Sequence, residues 1–161
     1  MPSANERMSN LIKEFTTAPK IQIENFFRLI IFNYLFSNGD AHIKNFSIVE
    51  DASTGGRILS PAYDLLSTGI HIPLESDMAL DLFEGDYMTT AFEAGSKYTR
   101  EDFIAFAQKT GINNKRFTTI YEPFLERNDK VYELIDRSFL RDDIKEIYFR
   151  RYLERLDRLK S

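Results

Sequence analysis

The segment from Ile21 to Ser37 constrains the fold most, because it is apolar on almost every face of a helix. Its large apolar residues are Ile23, Phe26, Phe27, Leu29, Ile30, Ile31, Phe32, Tyr34, Leu35 and Phe36. A helix that presents apolar side chains all round must be surrounded by other elements. Glu24, Arg28 and Asn33 interrupt the run, which argues against a membrane span. The sequence therefore predicts a buried central helix.

Amphipathic patterns on both sides of this segment predict the helices that cover it. The spacing from Glu6 to Phe15 fits a short amphipathic helix, and Pro19 lies beyond its end. Thr99 and Asp102 form a capping signal for a second helix, which Gly111 ends.

Two more helical periods occupy the C-terminal part of the chain. One runs from Phe117 to Ile135, and Pro123 kinks or divides it. The last helix covers about Arg141 to Lys160 and is expected to bury its apolar residues, namely Ile144, Ile147, Tyr148, Tyr152, Leu156 and Leu159. Its arginines form a solvated face paired with nearby acids, or contact DNA phosphates or an acidic partner: Arg150, Arg151, Arg155 and Arg158, with Glu146, Glu154 and Asp157.

Between the helical regions the sequence predicts one β-hairpin. Phe46 to Glu50 alternates as a strand, Asp51 to Gly56 forms a turn, and Arg57 to Leu59 returns as the paired strand. After Pro61 the patterning fades, and acidic residues crowd a stretch without lysine or arginine: Glu75, Asp77, Asp81, Glu84 and Asp86. This stretch is either a solvated loop or weak helix, or a surface for a basic peptide.

Length, charge and cysteine content narrow the class of protein. With 161 residues and 43% hydrophobic content, the chain supports one packed domain and is too short for two large ones. It contains no cysteine, which excludes disulfides, cysteine zinc sites and thiol catalysis. No signal-peptide pattern occurs at the N-terminus, so we expect a reducing cytoplasm. A net charge of −4 argues against a general nucleic-acid coat.

A cluster of polar residues directly after the central helix carries the chemical information. Asp40 is followed five residues later by Asn45, and a second carboxylate, Asp64, follows the predicted hairpin. Phosphoryl transfer needs a carboxylate that orients the attacking hydroxyl and two oxygen ligands that hold Mg²⁺ against the phosphates. An aspartate with an asparagine five residues later is also the spacing of the kinase catalytic loop. Turn formation alone is the competing explanation, because Asp and Asn are common next to a glycine such as Gly39.

Two motifs make a family resemblance specific. Asp40-Ala-His42-Ile-Lys44-Asn45-Phe-Ser and Tyr63-Asp64-Leu-Leu-Ser are similar to the signature of HipA-like serine/threonine kinases, the toxins of bacterial toxin–antitoxin pairs. The resemblance covers most of the chain. It implies that Asp40 is the catalytic base, that Asn45 and Asp64 are Mg²⁺ ligands, and that Lys44 and His42 support phosphate binding and loop geometry, with ATP as the cosubstrate.

The resemblance also implies a fold and a set of partners. The expected fold is mainly α, a protein-kinase-like C-terminal lobe over residues 1–161 with a small hairpin beside the catalytic loop. The chain has no Gly-x-Gly-x-x-Gly loop or Val-Ala-Ile-Lys strand, so the ATP-binding N-terminal lobe is expected to be absent or supplied separately. The implied partners are that lobe, a HipB-like helix-turn-helix antitoxin that mediates any DNA contact, and a protein substrate such as an aminoacyl-tRNA synthetase.

Two alternatives remain open at this point. Small-molecule kinases of the aminoglycoside and choline type have a similar loop but usually carry histidine directly before Gly-Asp, where this chain has Asn38. A non-catalytic remnant or binding module that docks an antitoxin would not need Asp40, Asn45 and Asp64. His71, the other histidine, is interpreted as structural.

Overall fold

The computed structural model describes residues 3–72, 76–83, 88–95, 97–126 and 129–161. Helices dominate these residues, and the single sheet among them has two strands. The elements are α1 (Ala4–Phe15), α2 (Pro19–Leu35), β1 (Ile48–Glu50), β2 (Arg57–Leu59), α3 (Thr90–Gly95), α4 (Arg100–Thr110), α5 (Asn114–Leu125), α6 (Asp129–Asp136) and α7 (Asp142–Lys160). The predicted mainly α fold with one small hairpin is confirmed. None of the described helices is long and apolar enough to cross a membrane.

Helix α2 is the buried centre of the molecule, as predicted. Pro19 occupies its first turn, where the missing N–H needs no partner. Phe26 and Ile31 are at most 1% exposed, and α1, α5, α7 and β2 all contact the helix. Burial raises the pKa of Tyr34 to about 12, so its hydroxyl stays protonated and donates to the carbonyl of Tyr98.

Aromatic rings join α2 to α4 and α5. The ring of Phe27 lies 6.5 Å from Phe103, 6.2 Å from Phe106 and 5.9 Å from Phe117, measured between centroids. Such clusters bury large areas, and their rings prefer offset-stacked or edge-to-face arrangements. Phe103 and Phe106 lie on α4, and a capping box sets where this helix begins.

Caps set the ends of α1 and α4. In α1, Ser3 and Glu6 bond reciprocally, so the helix starts at Ala4, earlier than the predicted Glu6. In α4, Thr99 and Asp102 form the predicted box, and Gly111 ends the helix with a φ of 92°. The C-terminal helical period is divided: α5 continues through Pro123 to Leu125, and α6 begins at Asp129.

The hairpin pairs Ile48 with Leu59 and Glu50 with Arg57 in antiparallel register. Strand β2 has the predicted bounds, whereas β1 starts at Ile48 rather than Phe46. Phe46 instead follows a 3₁₀ turn, and its ring packs edge-on against Phe26 at 5.1 Å. The hairpin is tied to the segment around the start of α2, because the N–H of Arg57 donates to Thr17 Oγ1 and that of Leu59 donates to Gln22 Oε1.

The prediction for the last helix was partly wrong. Tyr152, Leu156 and Leu159 are buried as expected, but Ile144, Ile147 and Tyr148 are only half-buried. Arg155, which was predicted to lie on a solvated face, is 5% exposed. Its guanidinium bonds to the carbonyl oxygen of Asp77 at 2.6 Å and lies 4.8 Å from the ring centre of Tyr34. Arg158 pairs with the carboxylate of Asp77 at 3.0 Å.

The described carboxylates of the acidic stretch bond to other parts of this protein. Asp77 forms ion pairs with both Arg155 and Arg158, and the carboxylate of Asp81 accepts a hydrogen bond from the hydroxyl of Tyr98. These two residues are therefore not simply solvated loop charges. Glu75, Glu84 and Asp86 lie outside the described residues.

We expect Asp77→Ala to lower the free energy of unfolding by about 2 to 4 kcal/mol, because it leaves the buried Arg155 without its counter-charge. Urea unfolding followed by circular dichroism would measure this change. The control is Glu133→Ala, which breaks the exposed Glu133–Arg137 pair and should cost no more than about 0.5 kcal/mol. Equal, small effects of both substitutions would contradict the assigned role of Asp77.

Candidate active site

Asn38 fixes the loop that follows α2. Its backbone N–H donates to the carbonyl of Asn33, and its side-chain Nδ2 donates to Asn33 Oδ1 at 3.1 Å and to the carbonyl of Asp64 at 3.2 Å. Its Oδ1 accepts from the backbone N–H of Asp40 at 3.3 Å. The side chain is only 3% exposed. One buried amide therefore positions both Asp40 and Asp64 relative to the central helix.

Thr68 braces the same loop from the opposite side. Its hydroxyl accepts from the N–H of Gly39 at 2.8 Å and donates to the carbonyl of Ser37. Gly69 approaches so closely that a Cβ there would lie 2.9 Å from the Cβ of Ser37. Ser37 itself has a φ of 55°, a left-handed turn that redirects the chain after α2.

Asn45 and Asp64 are brought into direct contact. Asn45 ends a 3₁₀ turn over Ile43–Asn45, and its Nδ2 donates to Asp64 Oδ2 at 2.6 Å. Asp64 has a φ of 55°, which costs about 1 kcal/mol for a residue with a Cβ. Aspartate tolerates this region better than most residues. The hydrogen bonds to its carbonyl and carboxylate therefore keep Asp64 in this strained backbone conformation.

Asp40 and His42 form a pair on the surface of the loop. His42 Nε2 lies 3.0 Å from Asp40 Oδ1, and both side chains are more than half exposed. Lys44 is also exposed, and its backbone carbonyl accepts a hydrogen bond from the hydroxyl of Tyr63 at 2.8 Å. Of the five residues singled out from the sequence, four thus lie on the loop of residues 40–45, and the fifth is Asp64, which the bond from Asn45 joins to that loop.

The donor set fits a magnesium ion shared with phosphates. Mg²⁺ typically takes one or two protein carboxylates and completes its shell with water and phosphate oxygens. Asn45 uses its amide nitrogen on Asp64, which leaves its Oδ1 and the second oxygen of Asp64 as hard ligands. Within the described ranges, no group of three or more His, Asp or Glu residues could hold a metal alone. Asn45 and Asp64 together could supply two of the oxygen ligands of a Mg²⁺ ion.

Sequence reasoning missed the residues that hold this cluster together. Asn38 was noticed only as a difference from small-molecule kinases, and Thr68 and the hydroxyl of Tyr63 carried no assigned role. The sequence offered one indication of a role for Asn38 and Tyr63, because Asn38 precedes Gly39-Asp40 and Tyr63 precedes Asp64.

Comparison with known proteins identifies the family. The HipA-like C-terminal domain family matches residues 3–132. The chain belongs to this family. A Haemophilus influenzae protein named "Putative kinase" is 24% identical over 94% of this chain and 46% of its own length. "Putative kinase Y4dM" of Sinorhizobium fredii is 31% identical over 69% of this chain and 25% of its own length. These relatives are thus more than twice as long as the part that this chain matches.

A solved structure shows the same fold. HipA in a complex of a Shewanella oneidensis toxin–antitoxin system, with HipB and operator DNA, matches 98% of this chain and 36% of its own length. The TM-score is 0.67 at 21% identity. The likeness confirms the predicted fold class for this HipA-like domain, a lobe of the kinase type that is mainly α with a small hairpin.

We expect Asn38→Ala to lower the free energy of unfolding by about 1 to 3 kcal/mol, because it leaves buried partners of the amide unsatisfied. Asn25→Ala is the control, since Asn25 is an exposed residue of α2 that bonds to Arg28. It should change stability by no more than about 0.5 kcal/mol. Chemical denaturation of both variants provides the comparison, and wild-type stability of Asn38→Ala would disprove the anchoring role.

Proposed function

We propose that this chain is the catalytic lobe of a HipA-like serine/threonine protein kinase that transfers the γ-phosphate of ATP to a protein hydroxyl. The observation that carries the proposal is the 2.6 Å bond between Asn45 and Asp64, two residues 19 positions apart. A turn-forming role for Asp40 and Asn45 would not require this carboxylate. Asp40, whose N–H bonds to the same Asn38 side chain that bonds to the carbonyl of Asp64, supplies the third group that phosphoryl transfer needs.

Each residue has a distinct role in this proposal. Asn45 and Asp64 would hold a Mg²⁺ ion, which would neutralise charge on the phosphates of ATP, the donor of the transferred phosphate. The backbone N–H of Asp40 donates to Asn38 Oδ1, and its side chain is exposed. Its carboxylate is therefore available to orient the substrate hydroxyl and accept its proton.

His42 and Lys44 support this centre. His42 Nε2 lies 3.0 Å from one oxygen of Asp40, so in this proposal the imidazole orients that carboxylate and leaves the other oxygen for the substrate. Lys44 lies next to Asn45 with an exposed side chain, so its ammonium group is placed to contact a phosphate.

The partners follow from the family and from the length of the relatives. Because the chain spans less than half of the curated relatives, we infer that an ATP-binding N-terminal lobe, in the same or another polypeptide, completes the nucleotide site. The structural neighbour was solved with HipB and DNA, which favours a HipB-like antitoxin as partner and indirect contact with DNA. An aminoacyl-tRNA synthetase is a candidate substrate of the intact kinase.

In the chain joined to its N-terminal lobe, Asp40→Asn and Asp64→Ala should each lower turnover by about 100-fold or more. Asp64→Ala should also weaken Mg²⁺-ATP binding, because a metal ligand is lost, whereas Asp40→Asn keeps both ligands. Transfer of radiolabelled phosphate to serine and nucleotide titration would separate the two effects. Asp157→Asn, on the exposed face of α7, is the control and should behave as wild type. Undiminished transfer by Asp40→Asn would refute this catalytic centre.

Residues 1–161 alone should bind Mg²⁺-ATP with a dissociation constant on the order of 1 mM or weaker. Mg²⁺ keeps its water shell unless phosphates and carboxylates are presented together, and the described residues offer one carboxylate–amide pair. Isothermal titration calorimetry tests this directly. Micromolar affinity would show that this chain contains more of the nucleotide site than we propose.

A further inference from the structure

The hydroxyl of Tyr63 makes a second connection between the two segments that meet at Asn45 and Asp64. It donates to the carbonyl of Lys44 at 2.8 Å, and it lies 2.8 Å from Ser47 Oγ. A phenol has one proton. Because that proton goes to Lys44, the hydroxyl of Ser47 must donate to the oxygen of Tyr63. The phenol oxygen is therefore engaged both as donor and as acceptor.

The Tyr63–Lys44 bond is adjacent to the bond between Asn45 and Asp64. Tyr63 directly precedes Asp64, and Lys44 directly precedes Asn45. The Tyr63–Lys44 bond thus lies one residue away, on both segments, from the bond between Asn45 and Asp64. Two adjacent cross-links between the same two segments restrict both their separation and their relative rotation, which a single bond would not do.

Asp64 depends on such restraint more than an ordinary residue. Its φ of 55° lies in the left-handed region, which a residue with a Cβ keeps only when its surroundings hold it. On one side its carbonyl is held by Asn38. On the other side, the residue before Asp64 is Tyr63, which is held by the bond from its hydroxyl to the carbonyl of Lys44. Tyr63 is 41% exposed as a residue, so we assign the restraint to its hydroxyl bonds rather than to burial in the core.

We propose that Tyr63 is a positioning residue, whose hydroxyl keeps Asn45 and Asp64 preformed as a pair for a divalent cation. This inference rests on the proposed function for the identity of the ion, but the preformed pair itself is a property of the chain without nucleotide. Residues that orient metal ligands commonly change metal affinity by about 10-fold to 100-fold when they are removed.

The test compares Tyr63→Phe with the wild-type 161-residue chain by nuclear magnetic resonance. The side-chain amide protons of Asn45 report the bond to Asp64, and Asp64→Ala provides the reference for its loss. Tyr63→Phe should move these resonances towards the Asp64→Ala values, while the melting temperature stays within about 3 °C of wild type because the bonds are exposed. Tyr132→Phe, on α6 with its ring against Phe149, is the control and should leave the Asn45 signals unchanged.

A titration with Mn²⁺ in the presence of ATP, carried to high concentration because binding to this chain alone is expected to be weak, supplies the second readout, since this paramagnetic ion broadens nearby resonances even at low occupancy. Broadening at Asn45 should require about tenfold more Mn²⁺ in Tyr63→Phe than in wild type. Unchanged Asn45 amide resonances in Tyr63→Phe would overturn the positioning role, as would wild-type resonances that already match those of Asp64→Ala. Wild-type chain that shows the amide signature but no Mn²⁺ broadening at Asn45 would instead refute the proposed metal site, and the amide shift in Tyr63→Phe would still decide the role of the hydroxyl.

Discussion

The buried side chain of Asn38 connects the end of the central helix and the loop after it to Asp64, 26 residues further along the chain. It bonds to Asn33 in the last turn of the central helix, to the N–H of Asp40 and to the carbonyl of Asp64. An amide is suited to this place because it offers donors and an acceptor at once, whereas an aspartate or a leucine would leave polar groups unsatisfied. The geometry of the candidate site depends on this connection, since Asn38 fixes the backbone of Asp40 and Asp64 relative to the buried helix α2.

The remaining architecture keeps that helix and its loop in place. Aromatic packing fixes α2 against α4 and α5, and the buried Arg155 on α7 is neutralised by Asp77. The segment from Asp77 to Leu82 contains no helix, but contacts hold it at both ends. Asp77 pairs with Arg155 on α7, and Asn5 of α1 donates to the carbonyls of Leu80 and Asp81. Asn5, Met78, Asn33 and Asn38 line one small cavity, so this segment closes the core directly behind the anchor of the active-site loop.

Local signals in the sequence predicted most of the elements. The apolar run gave α2, the Thr99–Asp102 box and Gly111 gave the bounds of α4, and β2 was placed correctly, because caps, glycines and periodicity act within a few residues. The spacing of Asp40 and Asn45 also led to Asp64. Burial of Arg155 was not predictable, because its partner Asp77 is 78 residues away and helical periodicity treats arginine as a surface residue. The bonds of Asn38, Tyr63 and Thr68 were missed for the same reason, since long-range polar contacts leave no periodic pattern.

The central claim is that Asn45 and Asp64 together hold the cation that accompanies ATP. Crystals of the chain, soaked with Mn²⁺ and ATP and measured at the manganese absorption edge, test it most directly. We predict one anomalous peak at coordination distance from both Asn45 Oδ1 and the carboxylate of Asp64, about 2.1 Å as for Mg²⁺, with ATP phosphate oxygens in the same shell. A peak bound elsewhere, or bound by phosphates and water while Asn45 and Asp64 remain bonded only to each other, would contradict the assignment.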